Sequence, residues 1–140
     1  MREFILNILR TFGDIDFSLP QVATLLLLEE EGEPTIKQVA EFLGRSVSTT
    51  SRLLDQLVED GLVSRREDVH DRRAKRIAIT EQGRTLITTL ERQGAARQIA
   101  VMEYLSVEEQ AEVARVLALL AEASKKRRRH EYPGPPTTEA

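Results

Sequence analysis

Apolar residues recur at three- and four-residue spacing along most of the chain, and alternate with polar ones in one short stretch near its middle. The first pattern is that of amphipathic helices and the second that of a half-buried strand. The spacing predicts helices near 2–12, 19–31, 36–43, 47–60, 81–103 and 107–124. Their starts are marked by "SLPQ" (Ser18–Gln21), "TIKQ" (Thr35–Gln38) and "SVEE" (Ser106–Glu109). In each, a hydroxyl and a residue three further on can satisfy each other's orphan amides. Phe17 and Val22 are placed to staple the second helix across its first turn, and Thr80 to cap the fifth. Gly32, Gly44 and Gly61 each follow a periodic segment, as helix-ending glycines do. Gly94 falls inside the fifth helix and predicts a kink or a close backbone contact there.

The short helix 36–43, the turn "GRS" and the helix 47–60 form a helix-turn-helix pattern. Ser46 is the N-cap of the second helix. Directly after it come "LVSRRE" (62–67), a loop, and "RIAIT" (76–80), in which Ile77 and Ile79 share a face. A hairpin in that place makes a winged helix-turn-helix. The predicted class is mainly α with a small β-hairpin wing (α+β), flanked by N- and C-terminal dimerisation helices. The last helix carries Val113, Val116, Leu117 and Leu120 along one stripe. With no later element to cover it, that stripe either folds back on its own chain or meets a second copy.

Charge sharpens the reading. The 140 residues carry a net charge of −3, yet it is unevenly placed. Residues 1–44 hold three cations and eight anions, whereas residues 45–76 hold eight cations and six anions. The remaining 64 residues balance nine against nine. Cations therefore concentrate where the helix-turn-helix and wing lie, although mixed charge of this kind also describes an ordinary solvated face. The sequence has no cysteine, which excludes disulfides and thiolate metal sites. His70 and His130 stand too far apart for a metal motif, so no metal or other cofactor is expected. No Gly-rich phosphate loop or nucleophile–base constellation points to an enzyme. No apolar run is long enough for a membrane span, and the expected location is the cytoplasm.

Candidate binding residues follow from the helix periodicity. On helix 47–60, Val47, Leu54, Leu57 and Val58 read as the inward side. Arg45, Ser48, Thr49 and Arg52 lie opposite, with Gln56 continuing the stripe. Short hydroxyls allow close approach to a base edge or phosphate, and an arginine reaches guanine or phosphate. The same pattern also suits a plain amphipathic surface helix. In the wing "EDVHDRRAKRIAIT" (67–80), Arg72, Arg73, Lys75 and Arg76 crowd one hairpin tip. An arginine there can enter a narrow minor groove, with Asp71 bracing it. Alternatively, Arg72 and Arg73 pair with Glu67 and Asp68 on the surface.

The stretch from Thr35 to Gly83 resembles the MarR (multiple-antibiotic-resistance regulator) family, and the resemblance extends from about Ser18 to Leu120. Its most specific part is Asp71-Arg72-Arg73 closing on "IAITEQG". "YLSVEEQAEVARVLALL" is similar to the family's last dimerisation helix. The resemblance implies a homodimeric transcription regulator, chiefly a repressor, that binds a pseudo-palindromic stretch of double-stranded DNA. Ser46, Ser48, Thr49 and Arg52 would meet the major groove and Arg73 the minor groove, with Asp71 holding the wing; the charge pattern adds Arg45, Arg72 and Lys75 as further DNA-binding candidates, since flanking cations neutralise phosphate. A small-molecule effector is a further implied partner, and its site is unassigned. Phe4, Phe12, Phe17 and Tyr104 are candidates for lining it, though each also reads as core. The implied organisation is an N-terminal helix (1–17), a winged helix-turn-helix (18–80) and C-terminal dimerisation helices (81–124); composition adds a disordered basic, Pro-rich tail (125–140). The competing reading is a winged helix used for protein–protein contact.

Overall fold

The computed structural model describes residues 2–11, 16–69, 71 and 74–131. The order is α1 (Arg2–Thr11), α2 (Leu19–Glu31), α3 (Ile36–Leu43), α4 (Val47–Glu59), β1 (Val63–Glu67), β2 (Lys75–Ile79), α5 (Glu81–Met102) and α6 (Val107–Glu131). The chain divides into two compact units, Met1–Glu91 and Arg92–Ala140.

Helix starts obey the predicted chemistry. At Thr35, the backbone N–H donates to Gln38 Oε1 (2.9 Å) and Gln38 N donates back to Thr35 Oγ1 (3.3 Å). The same exchange joins Ser106 and Glu109 at 2.8 and 3.2 Å. At Ser18 the backbone N–H and the hydroxyl both donate to Gln21 Oε1, each at 2.8 Å.

The core of the first unit gathers Val22, Leu25 and Leu28 from α2, Leu54 and Leu57 from α4, Leu62, Val63, Ile77 and Ile79 from the hairpin, and Ile87 from α5. Phe17 packs against this cluster, as a staple would. Each fully buried aliphatic side chain contributes about 1.5–3 kcal/mol relative to exposure, so this cluster is what sets the angle of α4 against the hairpin. The inward face of α4 differs from expectation. Val47 is 52% and Val58 39% exposed, while Thr50 is fully buried. Val47 occupies the first helical position, beyond the edge of the core, and Val58 sits about 100° around from Leu57. Thr50, nearly a valine in shape, fills the space its polar class had hidden.

The first turn of α5 fits tightly at Gly83. A Cβ built there would stand 2.3 Å from the Leu62 carbonyl oxygen and 2.7 Å from Ile79 Cγ1. The glycine lets the first turn of α5 sit against Leu62 and Ile79 of the hairpin. Thr80 caps this turn as predicted, accepting from Gly83 N (3.0 Å) and donating to the Gly61 carbonyl (2.7 Å). Gly94 does not interrupt α5.

In the second unit, Gln110 Nε2 donates to the carbonyls of Met102 and Leu105, both at 3.1 Å, and closes the turn between α5 and α6. No residue of α6 is buried. Val116, Leu117, Leu119 and Leu120 are 44–59% exposed. Tyr104 is 91% exposed and so is not core. The basic stretch 125–130 is also not a disordered tail, since α6 continues to Glu131. Ala, Glu, Lys and Arg are strong helix formers, Lys125 and Arg127 pair with Glu122 and Glu131, and cations suit a helix C-terminus. Residues 132–140 lie outside the described residues.

Candidate nucleic-acid interface

The site begins with the turn between α3 and α4. Gly44 adopts the left-handed conformation (φ 61°, ψ 36°), a backbone setting that reverses the chain and that would strain a residue with a side chain. Ser46 then caps α4, its Oγ accepting from Thr49 N at 3.2 Å and donating to Thr49 Oγ1 at 2.9 Å. Ser48 Oγ lies 3.2 Å from Ser46 Oγ. A hydroxyl has one proton and two lone pairs, so Ser46 is largely spent on holding the helix start. Ser48 and Thr49 retain hydrogen-bonding capacity toward solvent. Arg45, Ser46, Ser48, Thr49 and Arg52 are all exposed, and together they line the first two turns of α4, where the helix dipole favours phosphate.

The hairpin is short and in register, from Val63 opposite Ile79 to Glu67 opposite Lys75. Its far edge also bonds to the turn before α3, through Ile77 N to the Pro34 carbonyl (2.9 Å) and an isolated Thr35–Arg76 bridge. The wing loop is closed by Asp68, which the sequence offered only as a surface partner for Arg72 or Arg73. Asp68 is only 7% exposed. Its carboxylate accepts from Arg76 Nε and from Asp71 N (3.1 Å). Its own N–H donates to the Ala74 carbonyl at 3.1 Å, and Ala74 N donates to the Asp71 carbonyl at 2.9 Å. Asp71 therefore helps to brace the wing through its backbone. Arg72 and Arg73, with which the expected side-chain brace and minor-groove contact were associated, lie outside the described residues, as does His70.

A second unforeseen anchor is Arg65. Its Nη2 donates to the Ser51 carbonyl at 2.9 Å and pairs with Asp55 Oδ1 at 2.8 Å. It ties β1 to the back of α4, across 14 positions of sequence. No local pattern announces such a contact. Arg66 pairs with Glu33 (3.3 Å), and Arg76 also donates to the Glu33 carbonyl (3.0 Å).

The eight cations of residues 45–76 thus fall into classes. Arg65, Arg66, Lys75 and Arg76 are paired with carboxylates. Arg45 and Arg52 have no ion-pair partner among the described residues. Arg72 and Arg73 are not described. Much of the basic middle therefore assembles the wing, and Arg76, one of the four tip cations, is a structural anchor. Lys75 is paired with Glu67 across the strands at 3.3 Å. That exposed pair is worth about 0–1 kcal/mol, so phosphate can displace it.

The sequence matches the MarR family over residues 17–75. It is 34% identical over 109 residues to an uncharacterized HTH-type transcriptional regulator, YfiV, of Bacillus subtilis, covering 78% of this chain and 68% of the relative. The chain belongs to the MarR family. A MarR-family protein from Bacillus stearothermophilus superposes with a TM-score of 0.75 at 26% identity, over 89% of each chain. A mutant of MepR from S. aureus, solved bound to an oligodeoxyribonucleotide, superposes with a TM-score of 0.67 at 24% identity, over 87% of this chain and 90% of its own.

MarR-family proteins are transcription regulators, not enzymes, and α3, α4 and the hairpin are this chain's DNA-binding winged helix. Of the aromatic residues considered for an effector site, Phe17 is half-buried against the core. Phe12 and the side chain of Phe4 are not described. Among the described residues no helix is long and apolar enough to cross a membrane.

Proposed function

We propose that this MarR-family protein is a cytoplasmic homodimeric repressor that recognises a pseudo-palindromic operator. In this reading Ser46, Ser48, Thr49 and Arg52 face the major groove. Arg45, Arg72 and Lys75 contact phosphate, and Arg73 enters the minor groove from a wing braced at Asp71. The observation that carries it is the division of the cations. Arg45 and Arg52, at the start of the recognition helix α4, have no carboxylate partner among the described residues, while Arg65, Arg66 and Arg76 are committed to carboxylates that hold the wing. A surface that only needed solubility would have no reason to keep these two apart from nearby acids. The MepR mutant of like fold, solved bound to an oligodeoxyribonucleotide, supports DNA as the partner.

The dimer reading rests on uncovered apolar surface. Ile5, Leu6 and Leu9 of α1 are 41–50% exposed, and the α6 stripe is exposed as well. Burying apolar surface contributes about 25 cal/mol per Å², which a second copy supplies. The N-terminal helix (1–17) and the helices from residue 81 onward would then form the dimerisation region around the winged helix (18–80). A twofold places the two recognition helices roughly 34 Å apart, one turn of DNA. Occupation of the operator excludes polymerase, and a small-molecule effector relieves it.

The test is selection of bound duplexes from a random DNA library by the purified chain at near-physiological salt. Enrichment of an inverted repeat with half-site centres about one helical turn apart is the expected result. No enrichment by folded, dimeric protein favours the protein-contact reading of the winged helix.

A further inference from the structure

Residues 125–130 hold five cations and no anion, whereas the rest of the chain holds 15 cations against 23 anions. The five do not lie in a loose tail, because α6 runs to Glu131 and fixes the direction of each. At about 100° per residue, Lys125, Lys126 and Arg129 cover an arc of roughly 100° on the helix surface. That arc is centred on the side of α6 opposite the stripe of Val113, Val116, Leu117 and Leu120. A second copy seated on the stripe therefore leaves these cations in water. All three are exposed. Lys126 and Arg129 have no ion-pair partner among the described residues, and Lys125 pairs with Glu122 at 3.7 Å. An exposed pair of that kind is worth about 0–1 kcal/mol, so a phosphate can displace it. Arg127 differs, since it falls on the stripe's side and its Nε holds Glu131 at 2.9 Å.

We infer that this arc of α6 is a second DNA contact, in which Lys125, Lys126 and Arg129 hold the phosphate backbone of duplex DNA without regard to sequence. Cations suit the last turn of any helix, but Lys125 and Lys126 stand three and four positions from Arg129, spacings at which like charges repel. A polyanion turns that repulsion into attraction, and the same chain carries a DNA-binding winged helix. The arc runs about 6 Å along the helix, and one DNA strand presents a charge every 3.4 Å or so of its axis. Two to three phosphates thus come within reach of the three side chains. Other polyanionic surfaces fit less well. Residues 121–131 contain no Leu, Ile, Val, Met, Phe, Tyr or Trp. An interfacial helix sinks such side chains into lipid, and single-stranded nucleic acid stacks its bases on aromatic rings. A duplex backbone needs neither.

The inference rests on duplex DNA being this chain's ligand, and not on an operator or on repression. A contact made through phosphate alone raises affinity for every duplex alike. It leaves base preference to α4 and the wing, and it gives an acidic protein a local means of staying on DNA while it searches.

The test compares the full chain with the triple variant Lys125→Gln/Lys126→Gln/Arg129→Gln. Glutamine matches lysine and arginine in helix propensity, so circular dichroism and sedimentation should not change. The probe is a fluorescent duplex of arbitrary sequence, about three helical turns long, titrated by anisotropy between about 0.05 and 0.2 M salt. At 0.1 M salt the variant should bind at least about tenfold more weakly. Its slope of log affinity against log salt should be shallower by about 1.8–2.7, which is 0.9 for each of two to three phosphates. The charge-conserving variant Lys125→Arg/Lys126→Arg/Arg129→Lys should bind as the parent does. Should the triple variant misfold, Lys126→Gln alone should lower the slope by about 0.9. Unchanged affinity and slope in a folded neutral variant would overturn the contact, as would equal weakening in the charge-conserving one. So would a triple variant that keeps its DNA affinity but loses binding to vesicles of anionic phospholipid, which would assign the arc to a lipid surface. Library selection separates this contact from the proposed function. A parent that enriches no sequence, yet loses duplex affinity in the triple variant, overturns the regulator reading and leaves the contact standing. A parent that enriches an inverted repeat, with a variant that binds duplex unchanged, does the reverse.

Discussion

Removing the Asp68 carboxylate is the sharpest test of how the wing is built. Asp68→Ala deletes an ion pair to Arg76 and a charged acceptor for Asp71 N. A hydrogen bond to a charged group contributes about 1.5–3 kcal/mol net, and breaking one partner of a buried pair costs about 3–5 kcal/mol. Arg76 is 25% exposed and keeps its bond to the Glu33 carbonyl, so solvent relieves part of that loss. A cost of about 2–3 kcal/mol follows for Asp68→Ala. Asp68→Asn retains an acceptor for Asp71 N and should cost about half as much. In a protein of this size 1 kcal/mol moves Tm by roughly 4 °C, so the alanine variant should melt about 8–12 °C lower by circular dichroism. The single variant Arg76→Ala should cost a comparable amount, and the double variant less than the sum, because both remove one interaction. With the wing loop released, affinity for operator DNA should fall as well. An Asp68→Ala protein within about 0.5 kcal/mol of the parent, or strict additivity with Arg76→Ala, would refute the role assigned to this pair.

Other outcomes are equally specific. Gly83→Ala would gain about 1 kcal/mol of helix propensity elsewhere, but here the new methyl meets a backbone oxygen at 2.3 Å. It should destabilise by at least about 2 kcal/mol in denaturant titration, and a neutral or stabilising result would show that the close approach is absent. Arg52→Ala and Arg73→Ala should each weaken specific DNA binding about five- to a hundredfold by fluorescence anisotropy. Each should also lower the slope of log affinity against log salt by about 0.9 for every phosphate the arginine had neutralised; unchanged affinity and slope would remove that arginine from the interface. Leu117→Glu puts a charge into the exposed α6 stripe and should yield monomer in sedimentation at concentrations where the parent is dimeric. A dimer unaffected by it would place the interface elsewhere.

What the sequence determined alone was whatever depends on neighbours a few residues apart. Capping at Thr35 and Ser106, the left-handed Gly44, the apolar alternation at Ile77 and Ile79 and the exposed stripe Arg45–Arg52 are all local, and each was legible from spacing and residue type. The family resemblance rested on the same local order. Other features came only from folding. Asp68 and Arg65 are identifiable as anchors only once the chain brings Arg76 and α4 beside them, because ion pairs between distant positions obey no period. Thr50 entered the core and Val47 left it, since burial depends on where the packing surface ends and not on residue class alone. The basic run 125–130 continued a helix because propensity and pairing with Glu122 and Glu131 outweighed the repulsion that composition suggested.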